Sequence, residues 1–300
     1  MRGEALVHTR TDTIDSHGRL LHLDVYAWNA TKPVVLFIPG MGCYAGIYAD
    51  FLSGLAESGF NVLGIDLPGH GRSSGARGTF TFDEVINAIY DVVSYSIDRY
   101  GEGVGLMGSS LGGTFALYAA MRDERLKAVL CHNVMDIAHD LHVPVRFPRI
   151  VRFMIRRLRW LATLMPWLPV PLRVLVDWNH VVEQRSLLAS LVADRHMVWT
   201  YSLRTWRSFL EYAPSTTFAN ISTPMKIIVG DRDLLFPPDY CRRIAEKIGD
   251  NGASFEVLSG GHALPLENIP QTIPVAHRWF GEHLTTAARD GSIRAEGSTC

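Results

Sequence analysis

The sequence predicts an α/β protein with a mostly parallel central sheet and helices on both faces. Three observations carry this. A continuously apolar run at 33–38 and the mostly apolar runs at 61–65 and 104–109 read as buried strands. Segments of helical periodicity alternate with these runs through short connections, the pattern of βαβ units. The runs also end in glycine-containing turns, where such sheets collect their functional groups.

In chain order, 6–15 and 19–28 are strands joined by the hairpin turn Ser16-His17-Gly18. The buried strand at 33–38 leads into Pro39-Gly40-Met41-Gly42. A helix follows over 47–58 and stops at Gly59. The strand at 61–65 runs into Asp66-Leu67-Pro68-Gly69-His70-Gly71-Arg72-Ser73. Residues 82–100 form a long amphipathic helix with Thr81 as N-cap. The strand ending at Ser109 is followed at once by a helix over 111–121 and a sixth strand over 126–131. Alternation then lapses over 136–219, which lacks a buried-strand signal and carries Pro144, Pro148, Pro166, Pro169 and Pro171. This segment is expected to be a mostly helical insert. Strand, helix, strand and helix resume at 225–229, 238–248, 254–258 and 270–284. The expected organisation is a core of 1–135 and 220–286, an insert of 136–219 and a flexible tail of 287–300.

The 300 residues are 47% hydrophobic, enough for a substantial core. With 29 basic and 30 acidic residues, nothing in the charge points to nucleic acid. Cys43, Cys131, Cys241 and Cys300 are too far apart for a zinc site or a disulfide framework. The N-terminus carries no signal-peptide apolar region, and no apolar run reaches about 18 residues. A soluble, cytoplasmic protein is expected.

The chemistry centres on Gly108-Ser109-Ser110-Leu111-Gly112. A Gly-x-Ser-x-Gly pattern between strand and helix holds its middle serine on a sharp turn, with the hydroxyl clear of the sheet. Alone the pattern is weak, since a free serine hydroxyl is a poor nucleophile and needs a base and an orienting acid. The chain offers both downstream, in the order Ser, Asp, His. His262 follows the last strand on Ser259-Gly260-Gly261-His262, a loop able to turn back over Ser110. Gly230-Asp231-Arg232-Asp233 follows the preceding strand. Asp233 is preferred as the acid, Asp231 pairs with Arg232 or solvent, and Asp136 is the reserve. An oxyanion would need two preset backbone donors, assigned to the amides of Leu111 and Met41. The loop from Asp66 to Ser73 lacks the lysine of a phosphate-binding loop and reads as structural, with His70 architectural.

Pro39-Gly40-Met41-Gly42, the Asp66–Ser73 loop, Gly108-x-Ser110-x-Gly112, Gly230-x-x-Asp233 and Gly261-His262 occur in the order of the α/β-hydrolase superfamily. The chain resembles its monoacylglycerol-lipase-like and lysophospholipase-like serine hydrolases over residues 6–284, the insert excepted. The resemblance implies an α/β-hydrolase fold with a helical cap after the sixth strand. It implies a triad of Ser110, Asp233 and His262, and an oxyanion hole of Met41 and Leu111. It also implies hydrolysis of a small-molecule or lipid ester, with no metal or organic cofactor. Many members have His-Gly where this chain has Pro39-Gly40.

The insert lies where this superfamily places its cap. Arg149, Arg152, Arg156 and Arg159 share one helical face, and the uncharged 161–170 stretch bearing Trp167 follows. An apolar cap suits a hydrophobic acyl group. Its cationic, tryptophan-bearing start also suits peripheral contact with anionic lipid. The same triad serves amide, thioester, lactone and C–C bond cleavage, and such a fold also serves ligand binding with little turnover.

Overall fold

The computed structural model describes residues 8–138, 160–249 and 252–296. Its first two strands, β1 (His8–Ser16) and β2 (Arg19–Ala27), form a hairpin. Both residues of its turn are left-handed, His17 at φ 52° and Gly18 at φ 79°, as a two-residue primed turn requires. The remaining core strands are β3 (Val34–Ile38), β4 (Asn61–Ile65), β5 (Val104–Ser109) and β6 (Ala128–His132) before the insert. Two small insert strands, β7 (Pro169–Pro171) and β8 (Thr200–Ser202), precede β9 (Met225–Gly230) and β10 (Ser254–Leu258).

Eight strands form one sheet in the order β1-β2-β4-β3-β5-β6-β9-β10. It is parallel from β4 to β10, and β2 joins it antiparallel. The chain winds from β3 to opposite sides, so a crevice opens at the carboxyl ends of the central strands. Register puts Ile38 beside Gly108 and Ser109 beside His132. The ends of β3, β5 and β6 therefore meet in one row.

The core helices are α1 (Ala49–Glu57), α2 (Phe82–Tyr100) and α3 (Leu111–Ala120). In the insert, α4 (Leu172–Leu175), α5 (Trp178–Val181), α6 (Arg185–Ala193) and α7 (Leu203–Glu211) follow. The core closes with α8 (Pro238–Ala245), α9 (Leu264–Glu267) and α10 (Ile269–Glu296). Helix α1 packs with α10, and α2 with α3. The start of α2 is fixed by a capping box, in which the Thr81 hydroxyl accepts from Glu84 N and the Glu84 carboxylate accepts from Thr81 N.

Three differences from expectation bear on the architecture. The helix expected at 47–58 opens as a 3-10 turn, Ala45–Tyr48, before α1 begins. The last helix runs on to Glu296 rather than ending at Leu284, through a stretch with alanine and arginine but no proline. The insert, expected to lack strands, contains the antiparallel pair β7 and β8, with Val170 opposite Tyr201. Three-residue strands are too short to show alternation, and the prolines flanking Val170 mask the signal further. The arginine-rich stretch at 149–159 lies outside the described residues. No described helix is long and apolar enough to cross a membrane.

Candidate active site

Ser110 sits between β5 and α3 with φ 55° and ψ −119°, a backbone conformation costly for any residue bearing a Cβ. The crowding around it explains the motif's second glycine. A Cβ on Gly112 would lie 2.3 Å from Ile38 O and 2.5 Å from Pro39 O. The elbow is anchored from the neighbouring strand, where Ser110 N donates to His132 O at 2.7 Å.

The three residues expected to act together are brought together. His262 Nε2 lies 2.9 Å from Ser110 Oγ, and His262 Nδ1 lies 2.9 Å from Asp233 Oδ2. The other carboxylate oxygen of Asp233 accepts from Leu235 N at 2.8 Å and Phe236 N at 2.9 Å. Burial pushes the Asp233 carboxyl up, but His262 and the Phe236 amide outweigh it and hold the group below the usual range. Phe236 stacks on the His262 ring with centroids 5.5 Å apart and planes at 19°. The alternative acids are engaged elsewhere. Asp231 accepts from Gly260 N at 2.8 Å and pairs with Arg232 at 3.4 Å. The Asp136 carboxylate accepts from the Tyr118 hydroxyl at 3.4 Å, and its backbone N–H donates to Tyr240 Oη at 3.2 Å.

Leu111 opens α3, so its amide is one of the free N–H groups at a helix start. The Met41 loop is pinned on both sides. Gly40 N donates to Tyr48 Oη at 3.3 Å, Val198 N donates to Gly42 O at 2.8 Å, and Gly42 N donates to Tyr201 Oη at 2.8 Å. Among the described residues, neither the Met41 nor the Leu111 amide has a backbone acceptor outside regular elements. Gly42 is needed as glycine, since it has φ 71° and a Cβ there would lie 2.3 Å from Val198 O.

His70 joins this support from beneath. Its Nδ1 lies 3.1 Å from Pro68 O and its Nε2 2.9 Å from Tyr201 Oη. One tautomer satisfies the whole set: Nδ1–H donates to Pro68, Tyr201 O–H donates to Nε2, and Tyr201 Oη accepts from Gly42 N. Burial lowers His70 to about 4, so it stays neutral and can accept. Tyr201 belongs to the insert, which therefore helps to hold the Met41 loop. Tyr201→Phe leaves two buried groups unpaired. It is expected to lower stability by about 2–4 kcal/mol at pH 7, read by chemical denaturation. A loss under about 0.5 kcal/mol would show that the tyrosine hydroxyl is replaceable there.

Above Ser110 and His262 lies a cavity of about 80 Å³. Met135, Leu235 and Phe236 line it from the core, and Val176, Trp178 and Leu191 from the insert. The insert is fastened to the loops bearing Asp233 and His262. The Glu267 carboxylate accepts from Glu183 N at 3.0 Å and Gln184 N at 2.6 Å, and Arg232 reaches Glu183 at 3.4 Å. The described residues contain no group of three or more His, Cys, Asp or Glu able to hold a metal.

His132 and Asn133 were not among the expected site residues. Both are buried at the end of β6, with His132 Nδ1 3.0 Å from Ser109 Oγ. Asn133 Nδ2 lies 3.2 Å from His132 Nε2 and 3.2 Å from His262 Nδ1. Polar residues directly after an unbroken apolar strand, at the end where ligands bind, were the available signal.

This sheet, its elbow serine and its ordered histidine and aspartate define a hydrolase of the α/β-hydrolase fold. Residues 29–268 match the family described as serine aminopeptidase, S33, and the chain belongs to that family. It is 29% identical over 292 residues to an uncharacterized 31.7 kDa protein of the traX-finO intergenic region of Escherichia coli, covering 91% of this chain and 99% of that one. A monoacylglycerol lipase from Paleococcus ferrophilus shares the fold with a TM-score of 0.72 at 21% identity, covering 88% of this chain and 99% of the other. A soluble variant of monoglyceride lipase from Saccharomyces cerevisiae shares it with a TM-score of 0.77 at 16% identity, over 94% and 97% of the two chains.

Proposed function

We propose that the protein is a serine hydrolase of carboxylic esters with a hydrophobic acyl group, working through an acyl-enzyme. The observation that carries this reading is the pair of 2.9 Å contacts linking Ser110, His262 and Asp233 beneath an apolar cavity. Ser110 attacks the ester carbonyl while His262 takes its proton. Asp233 steadies the imidazolium, and the Met41 and Leu111 amides hold the oxyanion. His262 then protonates the leaving alcohol, and in the second half it activates water for deacylation. These steps call on no metal or organic cofactor. The resemblance in fold to two monoglyceride lipases supports a lipid-like ester.

The test is a series of p-nitrophenyl esters of increasing acyl length, run beside aminoacyl amides, a thioester, a lactone and a vinylogous diketone. Preference for esters, with fluorophosphonate labelling located at Ser110 by mass spectrometry, supports the reading. Faster amide turnover replaces it with a peptidase-type one, and a protein that is neither labelled nor active with any of these is a ligand binder.

A second proposal concerns the cap. Trp160, Leu164 and Trp167 are 62%, 63% and 67% exposed, in a segment next to the arginine-rich sequence. These side chains support peripheral contact with anionic lipid. Flotation with anionic vesicles above a neutral-vesicle control is expected, and equal recovery with both would remove it.

A further inference from the structure

The buried amide of Asn133 lies between two histidine rings whose centroids are 5.8 Å apart, and its hydrogen-bond inventory does not close as drawn. Nδ2, a donor, faces His262 Nδ1 at 3.2 Å. That nitrogen must itself carry a proton to donate to Asp233, so two donors oppose each other. Meanwhile Asn133 Oδ1 is buried with no partner at all. Turning the amide by 180° exchanges oxygen and nitrogen at almost no steric cost, and the network decides between the two states.

His132 points to the same answer. Its Nδ1 lies 3.0 Å from Ser109 Oγ, and with that hydroxyl donating, the proton of the neutral ring stands on Nε2. That nitrogen faces the Asn133 amide at 3.2 Å. Burial holds His132 down to about 3, so the ring is neutral and carries one N–H. The His132 ring also meets the His262 backbone carbonyl, and the amide position facing both rings is closed by an oxygen, which accepts from His262 Nδ1–H as nitrogen cannot.

We propose that Asn133 turns its side-chain oxygen toward both rings, accepting from His262 Nδ1–H alongside Asp233 and from His132 Nε2–H, and so positions the base. The inference rests on His262 acting as the base of a serine hydrolase. A second acceptor on Nδ1–H keeps the imidazole plane facing Ser110 and favours the imidazolium that forms during acylation. Asn133 occupies φ 65°, a conformation that asparagine tolerates better than most residues. The chain Ser109, His132, Asn133, His262 runs beneath the nucleophile. The titratable groups around the His262 ring are Asp233, His132 and, from the insert against Gly261, Glu183.

Two variants test this without backbone strain. Asn133→Gly keeps the left-handed conformation and deletes the amide, and Asn133→Asp keeps an acceptor and offers no donor. With a p-nitrophenyl ester, Asn133→Gly is expected to lower kcat about ten- to a hundredfold, the worth of a hydrogen bond to a charged group, with KM little changed. Losing an acceptor disfavours the imidazolium, so the acid limb of kcat/KM moves to lower pH. Asn133→Asp is expected to recover kcat above its own acid limb and to move that limb to higher pH. An aspartate variant as impaired as the glycine one, or an acid limb unmoved in both, overturns the proposal. Imidazole NMR of the resting protein reads the contact without turnover. The His262 Nδ1–H resonance is expected to move in Asn133→Gly, and an unchanged resonance also overturns it. Should Asn133→Gly fail to fold, the opposed limb and resonance of Asn133→Asp against the parent decide. If Ser110→Ala retains the parent's activity, the reading of Ser110 and His262 as nucleophile and base has failed instead, and the resonance still judges the contact.

Discussion

Ser110→Ala is expected to lower kcat/KM for ester hydrolysis by about ten thousand- to a millionfold while leaving the fold intact. In the proposed mechanism the serine oxygen forms the bond to the acyl carbon, so nothing in the remaining site replaces it. Oxyanion donors and binding leave only a residual acceleration over water, and His262 without its partner adds little. The substitution should cost almost no stability, because alanine inherits the same strained φ of 55°. Ser110→Gly separates the two effects. It is equally inactive, but it relieves the strain and is expected to be more stable than the parent by about 1 kcal/mol. Initial rates and denaturant midpoints read both. A Ser110→Ala variant within tenfold of the parent would move the nucleophile elsewhere. A Ser110→Gly variant no more stable than the parent would show that the elbow stores no strain.

The central sheet is legible because its buried strands admit no helical alternative. A short, mostly apolar run such as Asn61–Ile65, between Gly59 and the Asp66 loop, is too short for a helix and too apolar for a loop. The spans Phe82–Tyr100 and Ser254–Leu258 coincide with those read from the residues, the first because Thr81 and Glu84 mark its start unambiguously. Ser110, His262 and Asp233 can be picked out as a candidate set because each follows a strand's carboxyl end, with a glycine within three residues. Asp233 is preferred over Asp231 already in the sequence, and the fold supplies the physical reason: the Asp233 turn faces His262, whereas Asp231 turns to Gly260 N and Arg232. The Asn133 amide is illegible for another reason. Its meaning lies in a count of donors across three residues from two strands' ends, which no local pattern encodes. The insert is hardest to read. Its elements are a turn or two long and held by contacts with the core, such as Tyr201 with Gly42 and Glu267 with Glu183, rather than by their own periodicity.

Asp233→Asn is expected to lower kcat about ten thousandfold while preserving the shape of the site. The reason lies in the turn that holds the carboxylate. Leu235 N and Phe236 N donate to Oδ1 at 2.8 and 2.9 Å, so the oxygen of the substituted amide is kept on those two donors. The amide nitrogen must then face His262 Nδ1, where the carboxylate oxygen stood at 2.9 Å. A donor there forces Nδ1 to accept, and the single proton of the neutral ring moves to Nε2. Nε2–H points at Ser110 Oγ across 2.9 Å and cannot take the serine's proton. The proposed base is then present, correctly placed and in the wrong tautomer. Stability follows a different course with pH. The Asp233 carboxyl is held below its usual range, so its contribution is present above about pH 4 and fades as pH falls through the folded value. Parent and variant should therefore differ most in stability near neutrality and converge in acid, as measured by denaturation across that range. An Asp233→Asn variant with a tenth or more of the parent kcat would mean that another group orients His262. Asn133, which shares the Nδ1–H proton in the arrangement proposed above, would then be the first residue to vary in combination.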